Sequence, residues 1–256
     1  MIGLLRADIL KLRKRWLFWV LVGVLAVFTG LAAVLLVALP VVAPEAIPEL
    51  PEFPRSDALL LGAQQAVGQT WFPLILAVVF LGSEVTTPIF ATAVTQEARR
   101  WMHLLSKLVV CSVASWLAML AAIGGWAVLA IAFTEGEGLS ASTWFGLVWK
   151  TAITQVTWTA LGLGAVSLMR NMGVSIGTVL AFSLFEGVGA FWEPYRNVSL
   201  TTASTALFVE LVTDLSGGFG MGFIMEMPFA QALTVVLGWT AIGTALAVIG
   251  VTSRDP

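Results

Sequence analysis

The stretch WLFWVLVGVLAVFTGLAAVLLVAL, residues 16–39, decides the fold class of this chain. It contains 24 residues, and none of them is charged. An α-helix rises about 1.5 Å per residue, so about 20 apolar residues cross the roughly 30 Å hydrocarbon layer of a bilayer. The stretch therefore predicts a membrane-spanning helix, and it is too long for the apolar core of a signal peptide.

Five more stretches of the same kind follow along the chain. They are residues 59–81, 104–133, 144–169, 172–192 and 229–251. Hydrophobic residues make up 59% of the sequence and charged residues 11%, whereas a typical soluble domain has about 25% charged residues. The stretches do not alternate apolar with polar residues, which argues against a membrane barrel. We therefore expect an all-α integral membrane protein with six transmembrane helices in one transmembrane domain, residues 1–256.

The positions of the basic residues predict the orientation in the membrane. If the N-terminus is cytosolic, ten of the 13 Lys and Arg residues fall on the cytosolic side. The ten are Arg6, Lys11, Arg13, Lys14, Arg15, Arg99, Arg100, Lys107, Arg170 and Arg254. Basic residues near the ends of spans stay in the cytosol during insertion. Both termini are thus predicted to be cytosolic, with Lys150 as a residue that reaches water at the outer interface.

The first 15 residues predict an amphipathic helix that lies in the membrane interface. Ile2, Leu5, Ile9, Leu12 and Trp16 recur at spacings of three and four, which places them on one helical face, and basic residues flank that face. A helix of this composition lies among the lipid headgroups. Alternatively, the basic residues only orient the first span, but this leaves the apolar face without a role. A long outer loop, residues 193–228, is predicted before the last span.

The segment GSEVTTPIFATAVTQEARRWMHLLSKLVV, residues 82–110, joins the second and third spans. Its order of residues is a Glu at the end of one span, a Thr-containing turn, a basic pair and a Lys that enters the next span. In this chain they are Glu84, Thr86, Thr87, Arg99, Arg100 and Lys107. With this segment, the basic N-terminal helix and the six spans, the chain resembles the ABC-2-type permease family, the membrane subunits of one class of ATP-driven exporters. Many members have a Gly-Thr pair where this chain has Thr86-Thr87-Pro88.

The resemblance implies that residues 83–103 are a cytosolic coupling segment. In this family such a segment docks into a groove on an ATP-binding subunit, and the N-terminal helix packs beside it. The residues that the resemblance assigns to the ATPase contact are Glu84, Thr87, Gln96, Glu97, Arg99 and Arg100. The alternative is a polar loop that contributes only to orientation.

The resemblance also implies the partners. The sequence contains no G-x-x-x-x-G-K-[ST] motif to hold ATP phosphates, so ATP and Mg are expected on a separate ABC ATP-binding subunit, and this chain is not expected to be an enzyme. Exporters of this class use two permeases, so a second copy of the chain or a homologous permease is expected. Membrane lipid is expected around them, and no nucleic-acid partner or cofactor on this chain is expected. No metal on this chain is expected either, because Cys111 and His103 are each the only residue of their type.

Polar residues inside the predicted spans are candidates for a translocation path. Glu186 lies in the fifth span, where a carboxylate is costly and usually faces a cavity or a partner. It either lines or gates the path, or it is a protonated or hydrogen-bonded structural carboxyl, or it lies close enough to the interface to contact water. Gln65 and Gln69 share a face of the second span, and Gln155 lies in the fourth. For these three the simpler interpretation is hydrogen bonding between neighbouring helices.

The function that we expect is the permease subunit of an ABC exporter in a prokaryotic plasma (inner) membrane. Its spans offer few charges, which favours a hydrophobic or amphipathic substrate such as a drug, an antibiotic or a peptide. Alternatives are a permease for metal-enzyme maturation or polysaccharide export, and an ion-coupled carrier that works without an ATPase and uses Glu186 as a proton site. A membrane enzyme acting on lipid would need paired Asp motifs or H-E-x-x-H, which the sequence lacks.

Overall fold

The structure is a computed structural model that describes residues 2–43, 45, 53–85, 100–209 and 227–252. Within these residues the regular structure is helical and no strand occurs. Six helices are long and apolar enough to cross a membrane. They are span 1 (Trp16–Val42), span 2 (Arg55–Glu84), span 3 (Trp101–Phe133), span 4 (Ala141–Met169), span 5 (Met172–Gly189) and span 6 (Phe229–Thr252). The prediction of six such helices in an all-helical protein is confirmed.

Three shorter helices flank the spans. An N-terminal helix, Ile2–Lys14, precedes span 1, and Arg15 separates the two with extended backbone. Two helices, Glu193–Arg196 and Leu200–Val209, follow span 5. We call the end of the bundle that carries the N-terminal helix the near end, and the end that carries Leu200–Val209 the far end.

Spans 2 and 4 form the centre of the bundle. In the most apolar window of each, 67% of the residues are buried, compared with 22–28% in the other four spans. Glycine permits the close approach of span 4 to span 6, because a Cβ on Gly243 would lie 2.7 Å from the carbonyl carbon of Ala160. The same holds between spans 4 and 2, where a Cβ on Gly162 would lie 2.7 Å from the carbonyl oxygen of Leu74.

Span 2 is discontinuous, a feature that the sequence interpretation did not include. Its far half is the helix Arg55–Gly68 and its near half is Trp71–Val85, with Gln69 and Thr70 between them. At the junction the Thr70 amide donates to the Gly68 carbonyl at 2.8 Å and the Phe72 amide to the Gln69 carbonyl at 3.1 Å. The first bond spans two residues and the second spans three, whereas the backbone hydrogen bonds of an α-helix span four. The helical hydrogen-bond pattern is therefore interrupted near the middle of the span.

A two-residue turn joins spans 4 and 5. Arg170 adopts the left-handed conformation, with φ 56°, and ends span 4. Asn171 then caps span 5, because its side-chain oxygen accepts a hydrogen bond from the Val174 amide at 3.1 Å. Two connections fall outside the described residues: 86–99, which contains most of the predicted coupling segment 83–103, and 210–226, which belongs to the predicted outer loop 193–228.

Candidate functional site

Five side chains form an ion network at the near end. Lys107 of span 3 places its Nζ 2.7 Å from Oε2 of Glu84 and 3.4 Å from Oδ1 of Asp8. The other oxygen of Glu84 lies 3.1 Å from Nζ of Lys11. The other oxygen of Asp8 accepts a hydrogen bond from Ser106 Oγ at 2.7 Å. This near-end network (Asp8, Lys11, Glu84, Ser106 and Lys107) therefore joins the N-terminal helix to spans 2 and 3.

The centre of the near-end network is buried and its edge is exposed. The side chains of Lys107 and Asp8 are 2% and 6% exposed, that of Glu84 19%, and that of Lys11 53%. A charge in this environment is tolerated when opposite charges and hydrogen bonds compensate it. Lys107 has two carboxylates and Asp8 has both a cation and a hydroxyl, so the buried charges are balanced.

Phe80 extends this contact to the start of span 1. Its ring is fully buried, and two cations lie over it, with Lys107 Nζ at 4.7 Å and Arg15 Cζ at 5.2 Å from the ring centroid. The Arg15 guanidinium also donates to Ser83 Oγ and, at 3.2 Å, to the carbonyl oxygen of Val79. Cations over an aromatic face are attracted by the ring quadrupole, so Phe80 helps to hold the two positive groups side by side.

Residues of the near-end network flank the segment 86–99 on both sides. Glu84 precedes that segment by two residues, and Lys107 lies two helical turns after its end. Both residues are bonded to the N-terminal helix. A force applied to the segment therefore acts on a joint of three helices rather than on a free loop.

The predicted ATPase contact is only partly described. Glu84 belongs to the near-end network, and Arg100 begins the helix of span 3. Thr87, Gln96, Glu97 and Arg99 lie outside the described residues, as does the side chain of Arg100. Their contact with an ATPase stays a prediction.

Sequence reasoning missed Asp8, although the sequence contains a signal for it. Asp8 lies three residues after Leu5 and four before Leu12, so it is an acid on the apolar face of a basic helix. In the structure only part of that face packs on the bundle: Leu12 and Asp8 are buried, whereas Ile2 and Ile9 of the predicted apolar face are exposed. An acid on a buried face requires a cationic partner, and Lys107 is that partner.

The second polar region lies at the break in span 2. Gln65 and Gln69, both predicted path residues, are half-buried on either side of Gly68. Gln69 accepts a hydrogen bond from Trp71 Nε1 at 2.6 Å. Thr70 and Ser183 of span 5 share a hydrogen bond at 2.7 Å between their hydroxyl oxygens. The break is thus fastened to span 5 by a side-chain bond.

Gln155, the third predicted path residue, is fully buried in span 4. Neither its amide oxygen nor its amide nitrogen has a hydrogen-bond partner among the described residues. The same is true of the Trp158 indole nitrogen and the Thr159 hydroxyl. The sequence favoured a hydrogen bond from Gln155 to a neighbouring helix. Among the described residues, Gln155 forms no such bond.

Glu186 is fully buried and accepts three hydrogen bonds. The donors are the Tyr195 hydroxyl, Ser199 Oγ at 2.9 Å and the Thr201 amide at 2.9 Å. The last two lie at the N-terminus of Leu200–Val209, where a negative charge is favourable. Burial, together with the hydrogen bond and charge of Glu186, raises the pKa of Tyr195, so its hydroxyl stays a donor. This is the arrangement of a structural carboxyl; a role on the path stays a prediction.

The prediction that Lys150 reaches water is wrong. Its side chain is buried, with Nζ 5.3 Å from the ring centroid of Phe229 and 5.8 Å from that of Trp149. Both aromatic rings attract the ammonium group.

Comparisons with known proteins add no relative. A scan against protein-family models and a search of curated proteins both gave no match. Within the described residues, no three His, Cys, Asp or Glu side chains are grouped so that they could hold a metal ion. What the fold and site define is a helical membrane protein with a charged joint at one end and a polar break in its centre.

Proposed function

We propose that this chain is the transmembrane permease subunit of an ATP-driven exporter of the ABC-2 type that its sequence resembles. The observation that carries the proposal is the near-end network, which bonds residues on both sides of the segment 86–99 to the N-terminal helix. A subunit that converts the movement of a docked partner into movement of its spans needs a joint of this kind. ATP is hydrolysed by the partner, with Mg bound there.

In this proposal the near end faces the cytosol and both termini are cytosolic. The N-terminal helix then lies in the interface with Ile2 and Ile9 toward lipid. Trp16 and Trp19 are exposed at the start of span 1, the level at which tryptophan prefers to lie in a bilayer. The membrane is the plasma membrane of a prokaryote.

The partner docks on the coupling segment, residues 83–103. Thr87, Gln96, Glu97, Arg99 and Arg100 form the contact in this proposal, and Glu84 fixes the segment's first end in addition to any contact of its own. Movement of the docked segment passes through Lys107 into span 3 and through Glu84 into span 2. Because span 2 is central, this moves the core of the permease.

A second permease completes the exporter. Spans 1 and 5 leave large apolar side chains exposed, among them Leu184 and Val188 of span 5. In the assembled exporter these faces are covered by lipid and by a second copy of this chain or a homologous permease. Gln65, Gln69 and Gln155 within the spans are uncharged, which fits export of a hydrophobic or amphipathic substrate such as a drug, an antibiotic or a peptide.

An ion-coupled carrier with Glu186 as its proton site has less support. The carboxylate oxygens of Glu186 already accept three hydrogen bonds and cap a helix, so proton exchange there would disturb the far end. A permease for metal-enzyme maturation or polysaccharide export would share the joint and differ in its substrate.

Purification of the tagged chain from its native membranes in a mild detergent tests the proposal. We expect a P-loop ATPase in equal amount, identified by mass spectrometry. Reversing the charges of Glu97, Arg99 and Arg100 should remove the ATPase and leave the chain folded, whereas the matched reversal Arg196→Glu at the far end should not. Recovery of the chain alone in several mild detergents would contradict the proposal and favour a carrier.

A further inference from the structure

The break in span 2 is an unusual feature for the interior of a membrane protein. Backbone groups freed from the helical ladder have no water to bond in hydrocarbon, so a break persists where protein or a polar cavity surrounds it. Discontinuous spans of this kind often contribute to binding sites in transporters. Here the break carries Gln69 and Thr70, both with polar side chains, and lies near the middle of the most buried pair of spans.

Helix geometry places Gln155 opposite this break. Span 4 and the near half of span 2 both run from the far end to the near end and touch where Gly162 meets the Leu74 carbonyl. Seven residues are about two helical turns, so Gln155 lies two turns farther out on the same face as Gly162. The near half of span 2 begins at Trp71, about one turn farther out than Leu74, and the break at Gln69 and Thr70 follows directly beyond it. Gln155 therefore lies within about one helical turn of the level of the break.

The polar groups of span 4 at this level have no partners in the described part of the chain. They are both amide atoms of Gln155, the indole nitrogen of Trp158 and the hydroxyl of Thr159, all within five residues. Buried polar groups in native proteins are bonded to protein, water or ligand, since an unbonded one retains its full desolvation cost. The groups near the break can therefore bond an ordered water or a ligand.

We propose that Gln155 and the span 2 break form a mid-membrane site for a neutral hydrogen-bonding group of the exported substrate, an amide or a hydroxyl. This deepens the proposed function and rests on it. The polar side chains at this level are amides, hydroxyls and an indole, and the nearest buried charges, Lys150 and Glu186, lie about one to one and a half helical turns farther toward the far end. A carboxamide both donates and accepts, so it matches an amide or a hydroxyl in either direction. The Thr70–Ser183 hydrogen bond closes the site on the side of span 5, and tilting of the far half of span 2 about Gln69 opens it.

Thiol labelling of the isolated full-length chain in lipid nanodiscs tests the site. In a Cys111→Ser background, Gln155→Cys places a thiol at the break. Val166→Cys is the matched control: Val166 is also fully buried, and it lies eleven residues farther on the same helix, 3.2 Å from where a Cβ on Gly82 would stand. The probe is the neutral reagent 2-hydroxyethyl methanethiosulfonate. Thr159→Cys serves as a second reporter, and gel filtration checks that each variant is folded.

We expect the thiol at position 155 to react at least roughly tenfold faster than the thiol at position 166. The anionic sulfonatoethyl and cationic trimethylammonium-ethyl reagents should be slower than the neutral one by a similar factor, because a charge at mid-membrane is costly. N-methylacetamide, a small neutral amide, should slow the labelling at position 155.

Four results would overturn the proposal. No reaction at 155 or 159 would show a sealed interior, and equal reaction at 155 and 166 would show that the whole bundle opens. Equal labelling rates at position 155 for the neutral and the charged reagents would show that the site does not prefer neutral groups. Labelling that N-methylacetamide does not slow would indicate an ordered water rather than a binding site. None of these measurements needs an ATPase, so failure of the site is distinguishable from failure of the exporter proposal, which the purification decides.

Discussion

The near-end network and the break in span 2 both put polar groups inside an apolar bundle, but they differ in how those groups are bonded. Lys107, Asp8 and Glu84 bond one another across three helices. At the level of the break, Gln155 and Trp158 have no partner among the described residues. Paired buried groups hold helices in one arrangement, whereas unpaired ones cost stability in that arrangement. The first region has the properties of a joint and the second those of a binding site.

Removal of Lys107 should have the largest effect. Lys107→Met leaves Asp8 buried without a cation and Glu84 with Lys11, and breaking a buried ion pair costs about 3–5 kcal/mol. Denaturant-induced unfolding in mixed micelles measures this loss. Adding Asp8→Leu to the variant should restore part of the stability by removing the uncompensated carboxylate.

The matched control is Lys14→Met, the same substitution at an exposed position of the N-terminal helix. It should change the free energy of unfolding by less than about 0.5 kcal/mol. Equal stability of the Lys107 and Lys14 variants would show that the near-end network is not a stabilising joint.

Replacement of Gln155 should increase the stability of the fold, the opposite of the effect of replacing Lys107. Gln155→Leu removes a buried carboxamide without a described partner, so the folded state should become more stable by about 1–2 kcal/mol. Transport by the assembled exporter should fall at the same time, because the substrate loses a partner. Gln69→Leu, which removes a bonded amide, should not stabilise. A clear loss of stability in Gln155→Leu would mean that Gln155 holds the helices together.

Removal of Lys11 sharpens the comparison within the near-end network itself. Its ammonium is more than half exposed, so water screens its attraction to Glu84. Lys11→Met should cost about 0–1 kcal/mol in the same unfolding measurement, much less than Lys107→Met. If Lys11→Met destabilised the fold as much as Lys107→Met, the buried centre of the near-end network would not contribute more to stability than its exposed edge.

The far end offers the mildest test, because its first measurement, the ionisation of Tyr195 beside Glu186, needs no substitution. Tyr195 is the only tyrosine, so its ionisation can be followed by tyrosinate absorbance in the whole chain. Since its pKa is raised in the fold, its contribution to stability is complete below about pH 10, the usual tyrosine value, and is lost as the pH rises further.

Glu186→Gln should lower the pKa of Tyr195 toward the usual value, because the carboxylate charge contributes to the shift. Glu193→Gln, an exposed acid two residues before Tyr195, is the matched control and should leave the titration unchanged. If the two variants titrate alike, the hydrogen bond between Tyr195 and Glu186 is not formed in solution.

The sequence was enough for the helices and for part of the joint. Apolar runs longer than a bilayer is thick predict spans directly, and Glu84 and Lys107 stand out because they flank a polar segment. Asp8 was missed since its partner lies 99 residues away. The break at Gln69 escaped because an apolar run continues on both sides of it, and the unpaired state of Gln155 depends on neighbours that no local pattern records.

The most direct test of the central claim is crosslinking from the coupling segment. A photoreactive amino acid at Gln96 is irradiated in native membranes, and the adducts are identified by mass spectrometry. The same substitution at Glu137, between spans 3 and 4 at the far end, is the control. An adduct between an ABC ATPase and position 96, and none from position 137, is the predicted result. The absence of an ATPase adduct at position 96 in a folded, membrane-inserted chain would contradict the account.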